Sequence, residues 1–434
     1  MSISTHALRK LEYHPHWSFP GGNGTENVII TGSGNNWGTL YKKAHEHNCV
    51  LVGGGDPTVG LGGYLQGGGH GPLSSQFGLG ADQVLQVTVV TTDGRQLVAN
   101  NAQNQDLFWA IKGGGAGQYG IVTEYVLKTH HTFSSVVTGS LNIYGSRNAS
   151  ADATWTAVAT LLNKIPDIMD SMPIAGTVNI AKGSTGGSMV GANYTVPGAV
   201  ITPSFYGYNM TQAQMRRVLQ ELAAQAVASS DARSIIAKPG NFQEYPSFFD
   251  YFNSTTSSSS ESVADSLMSS RLLGRAELSE LPTSDLKQHL QRLLEHSPFI
   301  LLGLQGGRGP RNVPTELGGA VNPIWRRIYA HALSFGTPIN TTGVPSVELK
   351  KAGQWAEVHP EAVWREWAPD TGAYMNEANC FNSHWKHDFY GVYYDELLDV
   401  KRKYDPTGSL YVISGVGSDE WEYDLHSGLL CRVD

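Results

Sequence analysis

A single carboxylate, Asp56, stands inside a stretch of bare backbone, LVGGGDPTVGLGGYLQGGGHG, which runs from Leu51 to Gly71. Clustered glycines cost conformational entropy on folding, and a plain turn does not require them. The stretch lacks GxxxxGK[ST], and no GxGxxG opens a helix after the first predicted strand, which disfavours P-loop and Rossmann phosphate sites. Bare backbone N–H groups can instead approach a large planar cofactor and its pyrophosphate closely. The stretch therefore predicts a cofactor-binding loop.

The elements that must position this loop divide the chain into three parts. Residues 1–132 are dense in turns and short strand patterns, including two alternating strands around Asp93-Gly94, which is a strong hairpin signal. Residues 133–368 contain three amphipathic helix patterns, DATWTAVATLLNKI, TQAQMRRVLQELAAQAV and TSDLKQHLQRLLEH, between strand patterns such as PFILLGLQGG. Residues 369–434 add a further helix pattern and a strand. This order predicts an α+β fold in which helices cover an antiparallel sheet.

Composition excludes several classes of partner. The 434 residues are 40% hydrophobic and 16% charged, which is typical of a compact enzyme. A net charge of −8 argues against nucleic acid, because no basic stripe is present to neutralise phosphates. No apolar run approaches the length that crosses a bilayer. The 3 cysteines are too few and too scattered for a disulfide framework or a zinc site, so no metal site is predicted.

Sequons suggest passage through the secretory pathway. They begin at Asn23, Asn148, Asn193, Asn209, Asn253 and Asn340. The first residues, MSISTHALRKLEYHPHW, contain no apolar stretch of the kind found in a signal peptide, so the sequence predicts no definite compartment.

Segments at both ends of the chain resemble a known family. GGGHGPLSSQFGLGADQVLQVTVVTTDG and DLFWAIKGGGAGQYGIVTEYVLKTH resemble the FAD-binding domain of vanillyl-alcohol-oxidase-type (PCMH-type) flavoproteins. Within that superfamily they are most similar to the berberine-bridge-enzyme-like oxidases of fungal secondary metabolism. YMNEAN, WKHDFYG and YDELLDVKRKYDPTGSLYVISGVGSDEW resemble the C-terminal segment of the same family. The resemblance implies a FAD domain at 1–132, a substrate domain at 133–368, and a segment, 369–434, that returns to the FAD domain.

The resemblance also implies which residues contact FAD. The loop beside the isoalloxazine is matched by Gly53, Gly54, Gly55, Asp56, Pro57, Thr58, Gly60 and Gly63. The next glycine turn is matched by Gly67, Gly68, Gly69 and His70, and His70 is expected to fix that turn through hydrogen bonds. The remaining matched positions are Gly117, Gly120, Ile121, Val122 and, where the last strand reaches the ring, Tyr411.

Two features depart from the family pattern. Many relatives hold FAD through a histidine and a cysteine, and Asp56 stands at the position of that cysteine. A carboxylate cannot form the thioether, so FAD is expected to bind noncovalently, and the negative charge should lower its reduction potential. The family's preceding lobe, which carries the attachment histidine, has no counterpart in these 434 residues. We therefore expect an N-terminally incomplete FAD domain and self-association through the face that the lobe would cover.

With FAD, the expected reaction is dehydrogenation or oxidative cyclisation of a small secondary metabolite by hydride transfer, with electrons passed to O₂. The family motif makes Tyr374 the candidate base and Asn376 its orienting partner, provided that a neighbour lowers the phenol pKa from about 10. Asp419 adds a carboxylate near the same end of the chain, and weaker candidates are Glu377, Asp388 and Tyr390.

Two alternatives lack flavin chemistry. Without FAD, a buried Asp56 in a vacated cleft would be a general acid, suited to an isomerase, dehydratase or cyclase. The other alternative is a non-catalytic relic that associates with a full-length oxidase.

Overall fold

The computed structural model describes residues 3–22, 24–230, 233–256 and 267–433, so the sequon at Asn23 lies outside the described residues. The strands are β1 (Leu11–Ser18), β2 (Thr25–Gly32), β3 (Cys49–Val50), β4 (Val84–Val90), β5 (Gln96–Asn100), β6 (Ile121–Lys128), β7 (His130–His131), β8 (Val136–Gly145), β9 (Ile174–Lys182), β10 (Val196–Tyr208), β11 (Ile235–Tyr245), β12 (Ser269–Gly274), β13 (Phe299–Leu304), β14 (Ile328–Ser334), β15 (Trp421–Tyr423) and β16 (Leu430–Arg432). The α-helices are α1 (Trp37–Glu46), α2 (Leu61–Gln66), α3 (Ser74–Phe77), α4 (Gln105–Ile111), α5 (Ala151–Ser171), α6 (Gly183–Met189), α7 (Gln212–Ala228), α8 (Phe248–Thr256), α9 (Arg275–Leu278), α10 (Thr283–His296), α11 (Arg308–Arg311), α12 (Pro345–Val358), α13 (Pro360–Trp367) and α14 (Tyr394–Tyr404).

The first sheet is antiparallel and has the strand order β1-β2-β6-β4-β5. Strands β4 and β5 form the predicted hairpin, whose turn contains Gly94 at a φ of 82°. Helix α1 begins after Asn36, whose side chain accepts a hydrogen bond from the Thr39 backbone N–H. Its residue Trp37 is fully buried beneath the glycine-rich loop. This sheet and α1 form the platform on which the loop rests.

The second sheet has the order β11-β8-β10-β9-β13-β14-β12, and its neighbouring strands are antiparallel. The three helix patterns predicted for this region are confirmed as α5, α7 and α10. Side chains alternate between the two faces of the sheet. On β10, Phe205 packs into the core shared with the helices, whereas its neighbour Tyr206 faces a cavity beside the first domain. The predicted α+β fold, with helices covering an antiparallel sheet, is confirmed.

The C-terminal segment packs back onto the first domain. Lys401 on α14 donates to the Gln118 backbone oxygen at 3.0 Å and to Asp405 at 2.8 Å, and all three groups are buried. No helix among the described residues has the length and apolar character to cross a bilayer. The five described sequon asparagines are all exposed, and their glycosylation stays a prediction.

Candidate active site

A cavity of about 950 Å³ separates the glycine-rich loop of the first domain from the second sheet. One wall is backbone from the stretch between Gly54 and Gly63 and from the loop at Gly117. The opposite wall comes from β9, β10 and α8, and residues of the YMNEAN segment close one end. The two domains and the C-terminal segment therefore build one site together.

The glycines of the loop fall into two classes. Some are required by close packing within the protein, because a Cβ on Gly71 would lie 1.9 Å from the Gly53 carbonyl oxygen. Others face open space. Among the described residues, and apart from the adjoining backbone, no atom lies within 4 Å of a Cβ built on Gly55, Gly60, Gly63 or Gly117, and all four line the cavity. These four positions give bare backbone to a ligand, and the packed ones hold the loop in shape.

The structure brings most of the predicted cofactor residues to the cavity. Those that line it are Gly54, Gly55, Asp56, Gly60, Gly63, His70, Gly117, Gly120, Ile121 and Val122. The predicted residues that are near the lining residues in sequence but do not line the cavity are Gly53, Pro57, Thr58, Gly67, Gly68 and Gly69. Tyr411 does not line the cavity. Its ring packs instead against Tyr423 of the C-terminal hairpin, with ring centroids 6.1 Å apart.

Asp56 lines the cavity at its outer edge and is only half-buried. Its Oδ1 accepts hydrogen bonds from the Thr58 backbone N–H at 2.7 Å and from the Thr58 hydroxyl at 2.6 Å. The side chain therefore holds a local turn. The expectation of a deeply buried Asp56 acting as a general acid is wrong, because the loop presents this carboxylate at the rim.

Tyr374 and Asn376 form the hydrogen-bonded pair that the motif implies. Asn376 Nδ2 donates to the Tyr374 hydroxyl at 2.7 Å and to the Gly63 carbonyl at 3.0 Å, so it links the YMNEAN segment to the glycine loop. Tyr374 is 3% exposed. Burial and the nearby Glu377 carboxylate raise the pKa of the phenol above its usual value, despite the bond from Asn376. This environment favours the neutral phenol, and the role of Tyr374 as a base stays a prediction.

Three titratable side chains converge beside Tyr374. His70 Nε2 and His331 Nδ1 lie 3.6 Å and 3.5 Å from Oε2 of Glu377. Burial alone would raise the pKa of Glu377, but the two imidazoles lower it to about 2, and burial together with His70 lowers the pKa of His331 to about 3. The predicted loop-fixing hydrogen bonds of His70 are absent from the described residues; its ring packs against Trp325 and Tyr374 instead.

Asp419 is not brought to the cavity. Its carboxylate pairs with Lys386 Nζ at 2.7 Å and accepts a hydrogen bond from the Tyr394 hydroxyl at 2.7 Å, on the outer side of the C-terminal segment. Burial opposes ionisation, but these two partners lower the pKa of the carboxyl. The structure therefore places Asp419 in a surface ion pair, which corrects its prediction as a catalytic residue.

Sequence reasoning missed the aromatic wall that faces the glycine backbone. Tyr206 on β10 and Tyr251 on α8 have ring centroids 5.3 Å apart, and Phe252 lies beside them. Gln305, just after β13, also lines the cavity, and its Oε1 is buried without a hydrogen-bond partner among the described residues. The alternating pattern of β10 was the available signal for Tyr206, but it could not show which face of the sheet bounds the site.

Comparison with known proteins shows which family this chain belongs to. A model described as "FAD binding domain" matches residues 6–100, and one described as "Berberine and berberine like" matches residues 373–415. The FAD-linked oxidoreductase apf9 of Gibberella fujikuroi is 33% identical over 94% of this chain and 68% of its own length. This chain belongs to the berberine-bridge-enzyme-like FAD-linked oxidoreductases. It is an FAD-dependent oxidoreductase, as the resemblance implied.

Further relatives agree with this assignment. The VAO-type flavoprotein oxidase VAO615 of Thermothelomyces thermophilus is 29% identical over all of this chain and 71% of its own length. Among solved structures, the VAO-type flavoprotein MtVAO713 of Myceliophthora thermophila C1 superimposes with a TM-score of 0.86 at 25% identity, covering 99% of this chain and 74% of that one. The glucooligosaccharide oxidase of Acremonium strictum, at 16% identity and a TM-score of 0.70, shares the fold.

The residues at the cavity fit the cofactor of this family. FAD needs an extended backbone wall that admits the close approach of a planar ring, and Gly55, Gly60, Gly63 and Gly117 leave that space free. The Gly117 backbone N–H is held by Gln66 Oε1 at 3.2 Å, and Gln66 is in turn bonded to Tyr125, so this part of the wall is preorganised. These positions would hold FAD.

Proposed function

We propose that this flavoprotein oxidises a planar aromatic secondary metabolite that carries a hydroxyl group, with noncovalent FAD and with O₂ as the electron acceptor. The main support for the proposal is that two chemically different walls line the same cavity. Bare backbone on one side suits the flavin, and the rings of Tyr206, Tyr251 and Phe252 on the other side suit an aromatic substrate.

The roles of the chain in this reaction are binding and orientation. FAD, when bound, supplies the hydride acceptor and the route of electrons to O₂. Tyr206 and Tyr251 hold the substrate ring by stacking, and the unpartnered Gln305 Oε1 accepts a hydrogen bond from the substrate hydroxyl. The Tyr374 hydroxyl is fixed by Asn376 at the closed end of the site.

The direct test is to load the purified chain with FAD and to measure O₂ consumption with matched sets of aromatic and aliphatic alcohols. We expect flavin absorption to co-purify with the folded protein and to be released on denaturation. We also expect the aromatic alcohols to be oxidised. A chain that binds FAD and oxidises only aliphatic alcohols would overturn the proposed substrate class.

Replacing Tyr251 with alanine is expected to raise KM for an aromatic substrate about tenfold with FAD retained, because losing an aromatic stack costs about 1.4 kcal/mol. Steady-state O₂ consumption measures this change. Tyr245→Ala is the matched control, since Tyr245 contacts Tyr251 at 5.7 Å but does not line the cavity. Equal effects of the two substitutions would show that packing, not substrate contact, is responsible.

Replacing Asp56 with cysteine is expected to make part of the bound flavin resistant to denaturation. Asp56 stands at the cavity rim beside the bare backbone, so a thiol there can reach a ring that lies along the glycines. In-gel flavin fluorescence after denaturing electrophoresis measures covalent retention. Thr58→Cys, two residues along the same turn but outside the cavity lining, is the control. A flavin-loaded D56C protein that releases all its flavin would contradict this orientation of the ring.

A further inference from the structure

His70, His331 and Glu377 come from three separate parts of the chain. His70 follows the glycine turn, His331 lies on β14 of the second sheet, and Glu377 belongs to the C-terminal segment. Their ligand atoms lie within 4.8 Å of one another. The three side chains therefore meet where the two domains and the C-terminal segment join.

The separations between these atoms are those of metal ligands rather than of hydrogen bonds. Glu377 Oε2 is 3.6 Å from His70 Nε2 and 3.5 Å from His331 Nδ1, beyond the usual hydrogen-bond range. Ligand atoms around a tetrahedral Zn²⁺, at about 2.0–2.1 Å from the ion, stand about 3.3–3.4 Å apart. Both distances from Glu377 come close to this value, and the ligand atoms of the two histidines lie within 4.8 Å of each other.

The polar atoms of the cluster lack other partners. His331 is 1% exposed and its Nε2 has no hydrogen-bond partner among the described residues, nor has either ring nitrogen of His70. Of the described lysines and arginines, none forms an ion pair with Glu377. The Glu377 carboxylate faces the two imidazoles on one side and the cavity on the other. Together with the unpartnered buried nitrogens of His70 and His331, it forms a site that a cation would satisfy.

We propose that His70, His331 and Glu377 bind a divalent transition-metal ion of the Zn²⁺ class. Two imidazoles and one carboxylate are the ligand set of many three-ligand zinc sites, which keep a fourth position open. His70 and Glu377 line the cavity, whereas His331 lies behind them, so the open position is on the cavity side. The ion joins the three parts of the chain and offers a ligand position to a substrate oxygen.

The test measures metal content and does not depend on flavin oxidation. Tag-free full-length protein is equilibrated with Zn²⁺, dialysed and analysed by mass spectrometry of its metal content, and Co²⁺ is used as a spectroscopic probe. We expect about one equivalent of zinc and visible bands of tetrahedral Co²⁺. Glu377→Gln and His331→Gln are each expected to weaken zinc binding by more than about tenfold, as loss of a direct ligand requires.

A second, half-buried histidine pair provides the matched control. The rings of His296 and His359 are 4.7 Å apart and neither residue lines the cavity, so His296→Gln should leave zinc binding unchanged. Circular dichroism confirms that each variant is folded. Zinc content well below one equivalent, or binding that survives in folded E377Q and is lost in H296Q, would overturn the proposal.

Discussion

Replacing Arg271 with methionine is expected to destabilise the protein by about 3–5 kcal/mol. The guanidinium is 1% exposed, lies 2.9 Å from Asp388 Oδ2, and donates two hydrogen bonds to the Ala368 carbonyl oxygen. Arg271 is on β12, whereas Asp388 belongs to the C-terminal segment, so the pair joins the second sheet to that segment. The substitution would leave the buried Asp388 carboxylate without its buried counter-charge, with only the exposed His387 imidazole 3.0 Å from its Oδ1. Urea denaturation measures the change in the free energy of unfolding.

An exposed ion pair gives the control for this prediction. Arg292 lies 2.6 Å from Glu366 with side chains 34% and 55% exposed, so Arg292→Met should cost less than about 1 kcal/mol. Adding Asp388→Asn to R271M removes the uncompensated charge and should restore part of the lost stability. Equal losses in R271M and R292M would contradict the role assigned to burial.

Replacing Glu361 with glutamine is expected to stabilise the protein at neutral and alkaline pH and to have little effect in acid. Glu361 is 1% exposed, and neither carboxyl oxygen has a hydrogen-bond partner among the described residues. Burial raises the pKa of this carboxyl from 4.5 to about 7, although the nearby Ser269 and Arg365 oppose the shift. The folded protein therefore holds the proton more tightly than the unfolded chain, and stability falls as pH rises from about 4.5 through about 7.

The size of the effect follows from the shift in pKa. At about 1.4 kcal/mol for each pH unit, ionisation of Glu361 costs the folded state about 3 kcal/mol above pH 7. E361Q lacks this titration, so its stability advantage over the wild type should grow between about pH 5 and about pH 8. Urea denaturation across this range measures the difference. Glu280→Gln, at an exposed carboxylate, should show no such growth, and a pH-independent advantage of E361Q would contradict the prediction.

Local patterns predicted much of the fold. The helices α5, α7 and α10 follow from apolar residues at three- and four-residue intervals, and the β4–β5 hairpin follows from Asp93-Gly94 between alternating strands. Each of these signals depends only on residues that are close together in the sequence, so it can be recognised without knowledge of the fold. The glycine-rich loop was predictable for a similar reason, because its lack of side chains follows directly from its amino-acid composition.

Residue environments were not predictable in this way. The flavin-free alternative required a buried Asp56, which is only half-buried at the cavity. Burial raises the pKa of Tyr374, the candidate base. Asp419 was placed in the site but pairs with Lys386 outside it. Burial and electrostatic surroundings decide each of these roles, and both are set by residues distant in sequence.

The sequence by itself determined the family, the cofactor and the presence of a loop built for close approach to a planar ring. Only the tertiary structure decided which side chains share the site. The clearest case is the meeting of His70, His331 and Glu377, for which the sequence offers only a histidine inside the apolar run IYAHALS. Secondary structure arises from contacts between neighbours, whereas a site assembled from two domains and a C-terminal segment depends on long-range packing, which no local pattern encodes.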